Sequence, residues 1–158
     1  MVLFSVVKAT RHVYHNLFVQ RKAIKKYIAV ASTAEHPDLR IGREWLIENR
    51  LATGDPWFRM KITDGPVNAL TKIVLTETIG YVGVFELFPA TGKKHQLRIH
   101  MASMGFPIIN DCFYPDLNQF PLLDYSRPLQ LLAKQIEFAD PVTGQDFVFE
   151  SQRNLLFQ

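Results

Sequence analysis

The stretch that decides the predicted fold is ALTKIVLTETIGYVGVFELFPATGKKHQLRIHMASMG, residues 69–105. Its first 21 residues contain two runs rich in β-branched and aromatic side chains, which meet at Ile79-Gly80. Such runs, joined by a short turn, are typical of a β-hairpin. The sequence therefore predicts a β-hairpin over residues 69–89.

The second part of this stretch predicts a helix over residues 93–104. Its apolar positions recur at i, i+4 and i+7 and form a core-facing stripe, namely Leu97, Met101 and Met104. Thr91 is a residue type that caps helices, and Gly105 is the type that ends them. The pattern places this helix directly after the hairpin.

Outward from this stretch, further elements follow from apolar runs and turn signals. We predict strands at residues 1–7, 25–32 and 146–150, a helix at 10–20, a strand or extended connection at 41–53, and a strand or short helix from Leu129. The fold class is α+β, with one mixed, largely antiparallel sheet flanked by short helices. Residues 1–158 are predicted to form a single domain.

Composition excludes several classes of protein. The chain has 158 residues, of which 47% are hydrophobic, so it is neither a disordered nor a disulfide-dense chain. The single cysteine, Cys112, cannot form an internal disulfide and favours a reducing, cytoplasmic location. No apolar run reaches the roughly 18 residues that cross a bilayer, and no signal-peptide pattern precedes the domain. We therefore expect no membrane partner.

Positive charge is concentrated at the N-terminal end. The first 34 residues contain six basic residues and no acidic residue, whereas the rest of the chain has 12 basic and 15 acidic residues. A basic end on a mildly acidic domain is typical of a phosphate-binding face, although a solvated lysine-rich surface produces the same pattern.

The start of the predicted helix is the richest candidate site. Lys93, Lys94, His95, Gln96 and Arg98 lie near a helix N-terminus, where unpaired amides favour an anion. An ordinary solvated helix start with one structural ion pair is the alternative. His95 and His100 are five residues apart, so they do not share a helical face, and we predict no metal site.

Tyr27 is a second candidate, because it follows a basic run on a predicted strand. An aromatic ring there can stack on a nucleobase while cations hold phosphates, although simple packing is the commoner reason for such a tyrosine. No nucleotide-binding glycine loop and no nucleophile elbow occurs in the chain.

Taken together, these segments resemble the catalytic domain of the RluA-type RNA pseudouridine synthases. KKYIAVA is similar to the K-x-Y-x-A-x-V segment of that family, and ATGKKHQLRIH with GFPIINDCFY resembles its T-G-R-x-H-Q-I-R-x-H and G-x-P-I-x-G-D-x-x-Y signature. LLAKQIEFADP is similar to the family's L-H-A-x-x-L-x-F-x-H-P ending. The resemblance extends from Met1 to Pro141. Departures from these patterns occur at Ala31, Lys93, Phe106, Asn110, Leu132 and Asp140.

The resemblance implies isomerisation of uridine to pseudouridine in structured RNA, rRNA or tRNA, without cofactor or metal. In this family a tyrosine packs at the target base and an arginine pairs with a catalytic aspartate, roles that fall on Tyr27 and Arg98. The predicted RNA-binding residues are Arg21, Lys22, Lys25, Lys26, Lys93, Lys94, His95 and Gln96.

The catalytic aspartate of the family lies in an R-L-D-x-x-T-S-G motif that this chain does not contain. None of its eight aspartates lies in an L-D-x-x-T context. We therefore expect a partial catalytic domain, incomplete at its N-terminus and inactive as this chain. The alternatives are a non-catalytic RNA-binding module and an incomplete domain that self-associates through its exposed surface.

Overall fold

The computed structural model describes residues 3–36, 38–117 and 126–155. Helix α1 spans Arg11–Val19 and follows a 3-10 turn at Lys8–Thr10, and helix α2 spans Gln96–Ser103. The strands are β1 Ile24–Ser32, β2 Glu44–Thr53, β3 Met60–Thr63, β4 Ala69–Ile79, β5 Val82–Pro89, β6 Leu131–Ala139 and β7 Asp146–Glu150. No described helix is long and apolar enough to cross a bilayer.

The seven described strands form one sheet in the order β3-β2-β4-β5-β1-β6-β7. Every neighbouring pair is antiparallel. The predicted α+β class is confirmed, and the sheet of the described residues is antiparallel rather than mixed. The structure therefore places β1, which carries Tyr27, next to the β5 strand that leads into α2.

The predicted hairpin at residues 69–89 is formed by β4 and β5. Ile79 pairs with Val82, and the tight turn between them uses Gly80 at a φ of 58°. Alternate residues of β5 are buried, which is the period expected of a strand with one face on a core. The hairpin thus follows from the local sequence pattern.

Helix α2 packs against the buried face of the central strands. Leu97 and Met101 join the main core, which also contains Ile73, Leu75, Phe85 and Leu87. Gly105 has a φ of 80° and ends the helix as predicted. Helix α1 packs in a smaller cluster at the other end of the sheet, where Leu17 meets Phe138.

Two local predictions are wrong. Residues 3–7 form no strand, and Phe4 and Val6 are more than 80% exposed, because no described strand offers them a hydrogen-bonding partner. Helix α2 starts at Gln96 rather than at residue 93, and Thr91 does not cap it. The Gln96 side chain instead accepts hydrogen bonds from the Thr91 hydroxyl and the Lys93 amide, which holds residues 91–95 in a turn.

Candidate active site

A cavity of about 250 Å³ lies between the first half of β1 and the turn that precedes α2. It brings together most of the sequence-predicted site residues, namely Lys25, Tyr27, Lys93, His95, Gln96 and Arg98. Pro89, Thr91, Gly92, Leu97 and Leu131 complete its lining. None of these described lining residues is acidic, so the cavity is positively charged.

Lys25 and Tyr27 reach the cavity from alternate positions of β1. The Lys25 Nζ donates a hydrogen bond to the Thr91 carbonyl at 3.1 Å, which ties the strand to the turn. Burial lowers the pKa of Lys25 and raises the pKa of Tyr27. The Tyr27 phenol is therefore neutral near pH 7, and its ring is available as an uncharged stacking surface.

Arg98 is held by a buried carboxylate. Its Nε donates to Asp111 Oδ2 at 2.8 Å, and its Nη2 donates to Asp111 Oδ1 at 2.5 Å. The Asp111 side chain is only 1% exposed and also accepts hydrogen bonds from the Phe113 and Tyr114 amides. This bidentate pair fixes the guanidinium plane. Three of the four donors bind Oδ1 and one binds Oδ2, and Asp111 does not line the cavity.

His95 stands at the junction between the turn and α2, with a φ of 53°. Its Nδ1 lies 3.2 Å from the Tyr114 hydroxyl, and its ring lies beside that of Phe113. Burial, and then the nearby Arg98 and Lys94 charges, lower the pKa of His95. His95 is therefore a neutral imidazole near pH 7.

Gln96 lines the cavity, but its side chain is buried and supports the site through hydrogen bonds. It is 3% exposed, and its Nε2 donates to the Leu70 carbonyl and to the Thr71 hydroxyl. Its Oε1 accepts the two bonds from the turn described above, so all four hydrogen-bonding positions are used. Direct RNA contact by Gln96 stays a prediction that this geometry disfavours, because no donor or acceptor is left.

Behind Gln96, the buried network continues through Thr71 to His100. The His100 Nδ1 lies 2.9 Å from the Thr71 hydroxyl, and its Nε2 lies 3.1 Å from Asn49 Oδ1. Since a neutral ring must donate to the Asn49 oxygen, Nε2 carries the proton and Thr71 donates to Nδ1. Burial lowers the pKa of His100 to about 4. The network locks α2 onto β2 and β4.

The remaining predicted RNA-binding residues lie outside the cavity. Lys26 forms an ion pair with Glu86, on the β1 face opposite Tyr27. Arg21 and Lys22 are exposed between α1 and β1, and Lys22 borders a separate groove beside Asp140. Lys94 points away from the cavity and places its Nζ 5.5 Å from the centre of the Trp57 ring.

The sequence analysis assigned no role to Asp111, Tyr114 or Trp57, although Asp111 and Tyr114 are the D and the Y of the signature that GFPIINDCFY resembles. Asp111 and Tyr114 lie eight and eleven residues after the end of α2. Only the folded structure brings them into contact with Arg98 and His95. The position of Trp57 in the sequence is unusual, because a large aromatic residue in the turn-rich segment TGDPW has no predicted hydrophobic core to pack against. Among the described residues, no group of three His, Cys, Asp or Glu side chains could hold a metal ion.

Comparison with known proteins identifies the family. A sequence profile of the RNA pseudouridylate synthase family matches residues 1–103, which include β1, the cavity turn and all of α2. This chain belongs to the RNA pseudouridylate synthase family. The predicted family resemblance is therefore confirmed.

Individual relatives agree with this assignment. The chain is 29% identical over 149 residues to ribosomal large subunit pseudouridine synthase C of Rickettsia typhi, covering 90% of this chain and 46% of that protein. It is 37% identical over 79 residues to tRNA pseudouridine synthase C of Vibrio vulnificus, covering 48% of this chain and 32% of that protein. The chain thus spans between a third and a half of the length of these two relatives.

The fold also matches a solved member of the family. Human RNA pseudouridylate synthase domain-containing 1 superposes with a TM-score of 0.67 at 20% sequence identity, covering 94% of this chain and 62% of that one. At this identity the match supports the fold alone. It shows that the seven-stranded sheet with α2 on one face is a pseudouridylate synthase fold.

Proposed function

We propose that this chain supplies the base-binding and arginine side of a site that isomerises uridine to pseudouridine in rRNA or tRNA. The observation that carries the proposal is the convergence of Tyr27 and Arg98 on one basic cavity. Membership of the family and the rRNA and tRNA substrates in the relatives' names support it. We place this activity in the cytoplasm, in keeping with the single Cys112.

The contacts of the site residues define their proposed roles. The neutral Tyr27 ring packs against an extruded uracil, and Lys25 and Lys93 attract the adjoining phosphates. Asp111 orients Arg98, so that the guanidinium meets a catalytic carboxylate at the sugar without turning away. The neutral His95 imidazole and the Tyr114 hydroxyl stiffen the rim of the cavity.

We propose that this chain alone binds RNA without isomerising it. No described lining residue of the cavity is acidic, and Asp111, the carboxylate bound to Arg98, lies outside that lining. Incubation with rRNA or tRNA transcripts carrying tritium at uracil C5 is expected to release no tritium above background. Turnover would contradict this proposal and would require a different nucleophile.

RNA binding by the same chain tests the other half of the proposal. Filter binding at increasing salt is expected to show a steep, linear fall of log K with log salt, because lysine contacts release counterions. Lys93→Ala should reduce the magnitude of this slope by about 0.7–0.9. Lys72→Ala is the matched control, since Lys72 pairs with Glu44 outside the cavity and should leave the slope unchanged. Absence of binding at low salt would overturn the proposal.

The alternative is an RNA-binding module without a uridine-specific role, which the lack of a carboxylate in the cavity favours. A competitor RNA in which every uridine is replaced by cytidine separates the two functions. Under the first proposal it competes poorly, because the cavity accepts uracil. Equal competition supports the module.

Self-association is a further proposal, based on the exposed apolar side chains near the N-terminus. Phe4 is 81% and Val6 is 87% exposed, and within the described chain no strand pairs with the outer edge of β6 at Leu131–Ala133. Light scattering is expected to show a species larger than the 18.2 kDa monomer as concentration rises. A constant monomer mass would contradict it.

A further inference from the structure

Trp57 is an exposed aromatic residue that belongs neither to the hydrophobic core nor to the lining of the cavity. It lies in the loop between β2 and β3 and is 76% exposed. The second tryptophan, Trp45, packs instead against Phe85 and Phe106. A tryptophan ring is a large, stiff surface that is most useful when a partner covers it.

The loop that carries Trp57 is firmly attached to the candidate site. Arg59 donates a hydrogen bond from Nη2 to the Pro115 carbonyl at 2.6 Å, and the Phe58 ring lies 5.3 Å from that of Phe113. The Met60 amide donates to the Tyr114 hydroxyl at 2.6 Å. Tyr114 also contacts His95, so the Trp57 loop and the rim of the cavity share one rigid anchor.

Positive charge adjoins the exposed ring. The Lys94 ammonium lies over Trp57, 5.5 Å from the ring centre. Lys94 itself lies outside the cavity, but its neighbours in sequence, Lys93 and His95, line it. Asp55 is the single carboxylate of the loop over residues 54–59. An aromatic face with an adjacent cation is the combination that binds an unpaired base together with its phosphate.

We propose that Trp57 and Lys94 form a second stacking platform, which binds an unpaired base of the RNA next to the nucleotide in the cavity. The inference rests on the proposed function, because the cavity must bind RNA for the platform to meet a neighbouring base. The Trp57 ring stacks on the base, and the Lys94 ammonium contacts its phosphate. The platform thereby selects RNA whose target uridine lies in an unpaired loop.

Fluorescence and binding of a stem-loop RNA test the platform. Trp45 is partly buried against the core, whereas Trp57 is 76% exposed, so a base that stacks on Trp57 is expected to quench mainly the Trp57 emission. Trp57→Ala should weaken binding by about 5- to 150-fold. Trp57→Phe keeps an aromatic face, so it should lose less affinity while abolishing the quenching. Tyr81→Ala is the matched control, since Tyr81 is 71% exposed in the turn between β4 and β5 and should bind RNA normally.

The outcomes distinguish this inference from the proposed function. If the unchanged chain binds no RNA, both are overturned. If it binds RNA with unquenched tryptophan emission and Trp57→Ala keeps full affinity, the platform alone is overturned, and the exposed ring must serve another partner. A fully paired duplex of the same sequence should bind more weakly than the stem-loop, and equal affinity also contradicts the platform. Circular dichroism confirms that each variant is folded.

Discussion

Replacing Arg98 by alanine is expected to lower the free energy of unfolding by about 3–5 kcal/mol. The substitution leaves the Asp111 carboxylate, which is 1% exposed in its side chain, without the two charged donors that offset its desolvation. Urea unfolding followed by circular dichroism measures the change. The same variant is expected to weaken RNA binding, because Arg98 lines the cavity.

Two variants show whether the geometry of this ion pair matters. Arg98→Lys keeps a positive charge and loses the bidentate fork, so its stability should fall between those of the unchanged chain and Arg98→Ala. Lys72→Ala breaks an exposed pair with Glu44, whose side chains are about half exposed, and should cost about 0–1 kcal/mol. If Arg98→Ala costs no more than Lys72→Ala, Asp111 is not the buried anchor that we describe.

Acid is expected to destabilise the chain through His100. Burial holds the folded pKa at about 4, below the ordinary value of 6.5, so the folded state prefers the neutral ring. The unfolded state binds a proton first as the pH falls below 6.5, and stability is lost from there down to about pH 4. Between pH 7 and pH 4.5 this single group should remove about 2–3 kcal/mol.

His100→Gln isolates this contribution. The substitution removes the titrating ring, so the variant should lose about 2–3 kcal/mol less than the unchanged chain between pH 7 and pH 4.5, whatever its stability at pH 7. Urea titrations at both pH values provide the comparison. Equal losses in the two proteins would show that His100 is not the group responsible. His95, whose pKa is also lowered, is present in both proteins and cancels.

Both predictions concern residues that hold α2 in its position against the sheet. Arg98 and His100 lie two residues apart on α2, and each is fixed by a partner from another element. Asp111 comes from the loop after α2, whereas Thr71 and Asn49 come from β4 and β2. The position of the cavity therefore depends on the packing of α2 as a whole.

The hairpin, the core stripe of α2 and the α+β class follow from the sequence, because each depends on side chains that are neighbours along the chain. The two-residue period of β5 and the four-residue spacing of Leu97 and Met101 are local patterns of the sequence. The family signature is likewise local, so the sequence alone predicts a candidate site in the turn before α2. The strand predicted at residues 1–7 is wrong over residues 3–7, because an apolar run forms a strand only beside a partner, and residues 1–2 lie outside the described residues.

Only the tertiary structure decided which predicted residues share a site. Lys25 and Lys26 are adjacent in sequence, yet the pleat of β1 sends Lys25 into the cavity and Lys26 to the opposite face. Gln96 reads as a surface residue of a helix start, and its burial follows from hydrogen bonds to Leu70 and Thr71 on another strand. Contacts between residues distant in sequence depend on how the sheet and α2 pack, and that packing also places Trp57 beside Lys94.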